Sequence, residues 1–274
     1  MKLRLGVRGM MWLTLVIMMW GIISCRTQEE KCLEEVLSLP LANKEELQKV
    51  LDHYKDDSLK YQAVCFLIRN MPFHAGYEGN ALKHYYQYFD IYAQGKLGPH
   101  EVIDSLKENS FSVSQLKRIE DIANIDSSLL VQNVDWAFKV WREQPWGKNV
   151  SFDNFCEFVL PYRLGDEPLG FWREDIYKRY NPILDSIRLL PQAQDPLVAA
   201  KVLMDSLVVE QSHFTGLFPA GPHLGPSVVS WRAGSCREFA DLVVYVMRAL
   251  GIPCGTDYMA MRGDNNVPHF WNFT

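Results

Sequence analysis

Residues 231–254, Trp-Arg-Ala-Gly-Ser-Cys-Arg-Glu-Phe-Ala-Asp-Leu-Val-Val-Tyr-Val-Met-Arg-Ala-Leu-Gly-Ile-Pro-Cys, constrain the fold more than any other stretch. Ala240, Val243, Val244, Met247 and Leu250 recur at helical spacing and predict one apolar face. Gly251 suits a left-handed stop, and Pro253 prevents the helix from resuming. The helix therefore starts at Cys236 and packs into a core. Gly234 and Ser235 are small, so backbone or substrate can approach the thiol. A thiol at a helix N-terminus meets unpaired N–H groups and the positive end of the dipole. Both favour thiolate, the reactive form. A lone cysteine is more often just a small buried residue, so its surroundings decide.

The N-terminus reads as a leader. Lys2, Arg4 and Arg8 precede an apolar run of fourteen residues, Met10 to Ile23. A spanning helix needs about 20. The run ends in Ile22-Ile23-Ser24-Cys25, which resembles a bacterial lipobox. That resemblance implies cleavage after residue 24 and a lipid on Cys25; an uncleaved anchor with an incidental cysteine is the alternative. Residues 1–24 are then a lipoprotein signal peptide, and residues 25–42 a polar tether and first helix. The membrane is expected as a partner through the lipid at Cys25. The bacterial cell envelope follows as location, the outer membrane favoured over the inner, with surface exposure as a variant suggested by Glu29 and Glu30.

The 274 residues suffice for one large or two modest domains, and 48% hydrophobic content suffices for a core. Net charge is −5 and no basic stripe occurs, so nucleic acid is not expected as a partner. With Cys25 lipidated, Cys32, Cys65, Cys156, Cys236 and Cys254 remain, an odd number that leaves at least one unpaired outside the cytoplasm. A Cys236–Cys254 disulfide is the rival, but a whole helix would hold the two roughly 20 Å apart or more. No zinc-like spacing appears, and no metal or cofactor is expected.

Residues 43–210 read as helical. Helices are expected at 43–55 (capped by Asn43 with Glu46), from Ser58 to Asn70, from Asn80 to Gly95, at 99–108 and at 113–124. Others follow from Asp126 or Ser127 to before Pro145, at 151–160, at 172–180 and from Pro196. No alternating strand is evident there. Tyr85, Tyr86, Tyr88 and Tyr92 read as core rather than as a binding face. Residues 215–230, rich in Gly and Pro, read as a loop and groove wall. Thr256–Met261 and His269–Phe273 read as strands around a turn at 263–266. The class is α+β, predominantly α, with a separate unit at 211–274.

Gly-x-Cys at a helix start, Arg-Ala-Leu-Gly-Ile-Pro at its end and a strand opening His269-Phe270-Trp271-Asn272 together resemble the transglutaminase-like superfamily of papain-like cysteine enzymes. The resemblance covers residues 231–274 and implies Cys236 as nucleophile, His269 as base, and an aspartate on a later strand to orient the base. The Cys236 backbone N–H and Trp231 are the oxyanion and positioning candidates. The expected activity is attack on peptide or protein amides through an acyl-thioester, hydrolysis favoured over cross-linking. A structural strand histidine is the plain alternative for His269. His223, on the Gly/Pro loop, is the next candidate base. Asn272 lies three residues along from His269, on the opposite face, so it cannot replace the aspartate; Asp257 is a poor stand-in. The chain stops at Thr274, before such a strand, so the expectation is a fragment of a longer domain, impaired as it stands. The rival function is a non-catalytic module that grips a peptide or glycan.

Overall fold

The computed structural model describes residues 28–107, 111–209, 212–217, 220–263 and 266–274. The expected signal peptide, Cys25 and the turn residues Asp264 and Asn265 lie outside them. In chain order the elements are α1 (Gln28–Leu37), α2 (Lys44–His53), α3 (Ser58–Arg69), β1 (Ala75–Glu78), α4 (Ala81–Tyr92), α5 (Pro99–Ser105), β2 (Lys117–Glu120), α6 (Asp121–Asn124) and α7 (Ser127–Glu143). There follow α8 (Phe152–Phe158), α9 (Arg173–Tyr180), α10 (Pro196–Val209), β3 (His213–Phe214), α11 (Val228–Trp231), β4 (Ala233–Gly234), α12 (Cys236–Ala249), β5 (Gly255–Met259) and β6 (His269–Phe273). The class is α+β and predominantly helical, as periodicity predicts.

The helix ends differ in detail from the expected caps. Asn43 precedes α2 but its side chain caps nothing. Glu46 instead reaches across to accept from the backbone N–H of Ser127, the first residue of α7, at 2.8 Å. It thereby ties two helix starts together. Asp57, not Ser58, caps α3 by accepting from Lys60 N–H at 3.1 Å. Asn80 makes no cap bond. Asp126, one of the two candidates, caps α7, and Ser151 caps α8.

Two further expectations fail. Residues 113–124 are not a helix: a 3-10 turn at Val113–Gln115 leads into β2, which pairs antiparallel with β1, and α6 follows. Each strand is four residues long, too short for alternation to register in sequence. The stretch 215–230 is not all loop either, since a 3-10 turn at Gly225–Ser227 runs into α11.

Buried side chains fall into two clusters. One joins α1, α2, α3, α7 and α8 around Leu47, Ile68, Leu130 and Phe155. The other joins α4, α9, α10 and α12 around Tyr85, Tyr180, Leu203 and Tyr245. The second draws on both sides of position 210, so the terminal segment shares its core with the helices before it. Tyr85, Tyr88, Phe89 and Tyr92 are buried in that cluster.

Helix α12 is covered on every side: Glu238 and every residue from Ala240 to Ala249 are buried. One apolar face was the expectation; here the polar positions are buried too, each with a partner. Arg248 donates to the carbonyls of Phe158 and Arg163, and the buried Arg173 donates to the Arg248 carbonyl at 3.1 Å. Arg173 also donates to the carbonyls of Val159, Leu160 and Pro161 and to the Asn133 side chain, so one guanidinium closes two helix ends. Gly251 sits at φ 75°, the left-handed stop foreseen for it.

Candidate functional site

The cysteine is held by its neighbours before any catalytic partner is considered. Gly234 adopts φ 136°, a conformation L residues avoid, and a Cβ there would stand 2.6 Å from the Glu238 side chain. Ser235 caps α12, and Glu238 answers it: Glu238 Oε2 accepts from Ser235 N–H at 2.8 Å and from its hydroxyl at 2.7 Å. This is a capping box that fixes Cys236 as the first helical residue. The Ser235-Cys-Arg-Glu238 spacing announced it in the sequence, where it went unused. Burial alone would push the Glu238 carboxyl up; the Arg237 guanidinium and the Ser235 bonds outweigh it and hold the carboxyl below its usual range.

Cys236 and His269 line the same cavity, about 900 Å³ in volume. Tyr85 and Phe89 contribute from α4, Phe214 from β3, Tyr258 and Phe270 from the hairpin. The thiol is half-buried and unoxidised; all five described cysteines are free, so the Cys236–Cys254 disulfide is not formed. Cys254 is buried behind the helix, and burial pushes its thiol up to about 12.

His269 is the first residue of β6, in register with Met259 of β5. Asn272 turns towards α12 and donates to the Ala240 carbonyl at 3.0 Å. Strand alternation then puts His269 and Trp271 on the other face, where their rings stack at 5.7 Å. No hydrogen bond joins the Cys236 sulfur to the His269 ring, and no carboxylate bonds that ring, among the described residues. Asp257 pairs across with Trp271, one diagonal step from His269. Asn272, which its facing keeps from orienting His269, instead pins the histidine strand to the cysteine helix.

Trp231, expected to position substrate, is turned away from the cavity. Its ring stacks on Phe89 at 5.5 Å and its indole N–H donates to Asp90, so it buttresses a cavity wall from behind. It lies one residue ahead of the left-handed Arg232, which ends α11 and swings the chain into β4. That reversal is what carries Trp231 off the site.

His223 does not line the cavity that holds Cys236. Its Nδ1 bonds Asp241 Oδ2 at 2.8 Å, and its backbone N–H donates to Asp166. Burial would lower the His223 pKa, but the hydrogen bond and charge of Asp241 outweigh that and raise it. Asp241 escaped notice in the sequence because it lies on the opposite side of α12 from Cys236. Arg237 donates to the Gly221 carbonyl at 2.9 Å, so α12 anchors the 220–223 loop at two points. Among the described residues no cluster of His, Cys, Asp and Glu could hold a metal ion, and no helix is long and apolar enough to cross a membrane.

Comparisons of the chain with family models, with curated proteins and with solved structures returned no match.

Proposed function

We propose that this chain is a lipid-anchored thiol enzyme resembling the transglutaminase-like superfamily, acting on peptide or protein amides. The observation that carries the reading is a half-buried thiol at the first position of a capped helix, in a cavity that a strand histidine also lines. The Cys236 thiolate attacks the carbonyl carbon, and the N–H of Cys236 supports the oxyanion. His269 takes the thiol proton and returns it to the amine as the C–N bond breaks, leaving a thioester. Water then attacks the thioester, the acid departs and the thiol is restored. The step requires the start of β6 to turn, because the imidazole is stacked on Trp271 on the strand face away from α12 and must reach the sulfur. Cys25 carries the lipid that fixes the enzyme to the cell envelope, the outer membrane being favoured.

The test is acyl-enzyme trapping with peptide thioesters and esters, read by intact mass. A covalent adduct on Cys236 that builds up and decays in the native protein, and decays neither fast nor pH-dependently in His269→Ala, supports the reading. No adduct with any ester, while iodoacetamide still labels the thiol, refutes it. Fatty-acid labelling lost in Cys25→Ser checks the anchor.

The second reading is a non-catalytic module that holds a peptide or glycan in the same cavity. The unjoined Cys236 and His269, and a histidine–carboxylate pair made elsewhere by His223 and Asp241, favour it.

A further inference from the structure

We infer that the cavity is selective for an aromatic or bulky aliphatic side chain beside the bound amide, and against sugars and charged side chains. The inference rests on the thiol reading only in placing an amide beside the sulfur; the selectivity itself does not depend on catalysis.

Two observations carry it. First, rings stand in the open: Phe214 is 66% exposed and Tyr258 58% exposed, and both line the cavity. Phe270 packs against Tyr258 at 4.8 Å, and Phe89, only 1% exposed, lines it too. Rings left in water gain most by closing on an apolar group.

Second, apart from the Cys236 thiol, the His269 ring and the Tyr258 hydroxyl, the polar side chains of the lining are already engaged. The Ser235 hydroxyl donates to Glu238. Arg237 commits Nε to Glu238, one terminal nitrogen to the Gly221 carbonyl and the other to the Tyr85 hydroxyl. Thr215 Oγ1 accepts from Leu217 N–H. Arg237 and Glu238 neutralise one another, and Arg262, the remaining charged lining residue, is not without partners. A sugar carries a hydroxyl on nearly every carbon and would strip water from them without replacement bonds. An apolar side chain makes no such demand.

The experiment uses the full chain and dye-labelled tripeptide amides whose central residue is Phe, Leu, Ala, Glu or Lys, with a chitobiose probe alongside. Binding is read by fluorescence anisotropy. Phe and Leu peptides are expected to bind about 10- to 100-fold tighter than Ala, Glu or Lys peptides. Phe214→Ser and Tyr258→Ser alter exposed rings, so folding is retained and checked by thermal melts; each should cut the ratio to about threefold or less. Equal binding across the series, preference for Glu, Lys or the sugar, no binding of any peptide, or a ratio untouched by both variants overturns the inference. Peptidyl chloromethyl ketones of the same series are run in parallel. Aromatic preference in binding without labelling of Cys236 sinks the thiol reading and leaves this inference standing.

Discussion

Replacing Gly234 with alanine tests how the cysteine is held. The residue sits at φ 136°, where a Cβ costs about 1–3 kcal/mol in backbone strain. The new methyl would also stand 2.6 Å from both Cβ and Cγ of Glu238. The Glu238 Cβ is fixed by the helix and cannot swing aside, so the carboxylate must leave Ser235. Loss of that cap adds about 0.5–2 kcal/mol. The two together predict a destabilisation of about 1.5–5 kcal/mol. With a urea slope of about 2 kcal/mol/M, the unfolding midpoint should fall by roughly 0.8–2.5 M. Gly170→Ala is the control, since nothing lies within 4 Å of a Cβ there; it should stay within about 0.5 kcal/mol of the parent. Urea unfolding followed by tryptophan fluorescence and far-ultraviolet dichroism gives both numbers. If Gly234→Ala matches Gly170→Ala, the capping box does not hold the thiol.

Other expectations follow from the same contacts. Arg173→Met should cost at least about 3 kcal/mol in denaturant unfolding, because the carbonyls of Val159, Leu160, Pro161 and Arg248 lose a charged donor; an unchanged midpoint would show those bonds to be worthless. The raised His223 pKa means the Asp241 pair stabilises most below the unfolded value of about 6.5 and loses that contribution as pH rises through the folded value. Melting temperature should therefore drop between pH 6 and 8.5 more steeply in the parent than in His223→Asn, and parallel curves would contradict the pairing. Native alkylation followed by peptide mapping should find Cys236 and Cys32 reactive, while Cys156 and Cys254, buried with thiols pushed up to about 12, lag by roughly a thousandfold. Equal labelling would mean that these cysteines are not shielded.

Long amphipathic helices were legible because a 3.6-residue period survives without tertiary information: α3, α7 and α12 were found close to their true bounds. The β1–β2 pair was not, because four residues per strand leave no period to detect. The cap of α2 failed for a related reason. Glu46 satisfies the spacing of a local capping box, but a helix 81 residues further on offers its N–H instead. At the site, the helix start and the histidine strand came from sequence, whereas the facing of His269, the detour of Trp231 and the His223–Asp241 pair did not.

The sequence by itself determined where α12 begins and ends, since Gly234, Ser235, Glu238 and Gly251 act on their own few neighbours. Local sterics and local hydrogen bonds need no distant partner. Only the tertiary structure decided that α12 is sheathed on all sides, that Asn272 claims the helix-facing side of β6, and that Phe214 and Tyr258 close on one cavity. Those outcomes depend on which surfaces, brought together from positions 80 to 273, lose the most apolar area to water, and that competition is not written in any one stretch of chain.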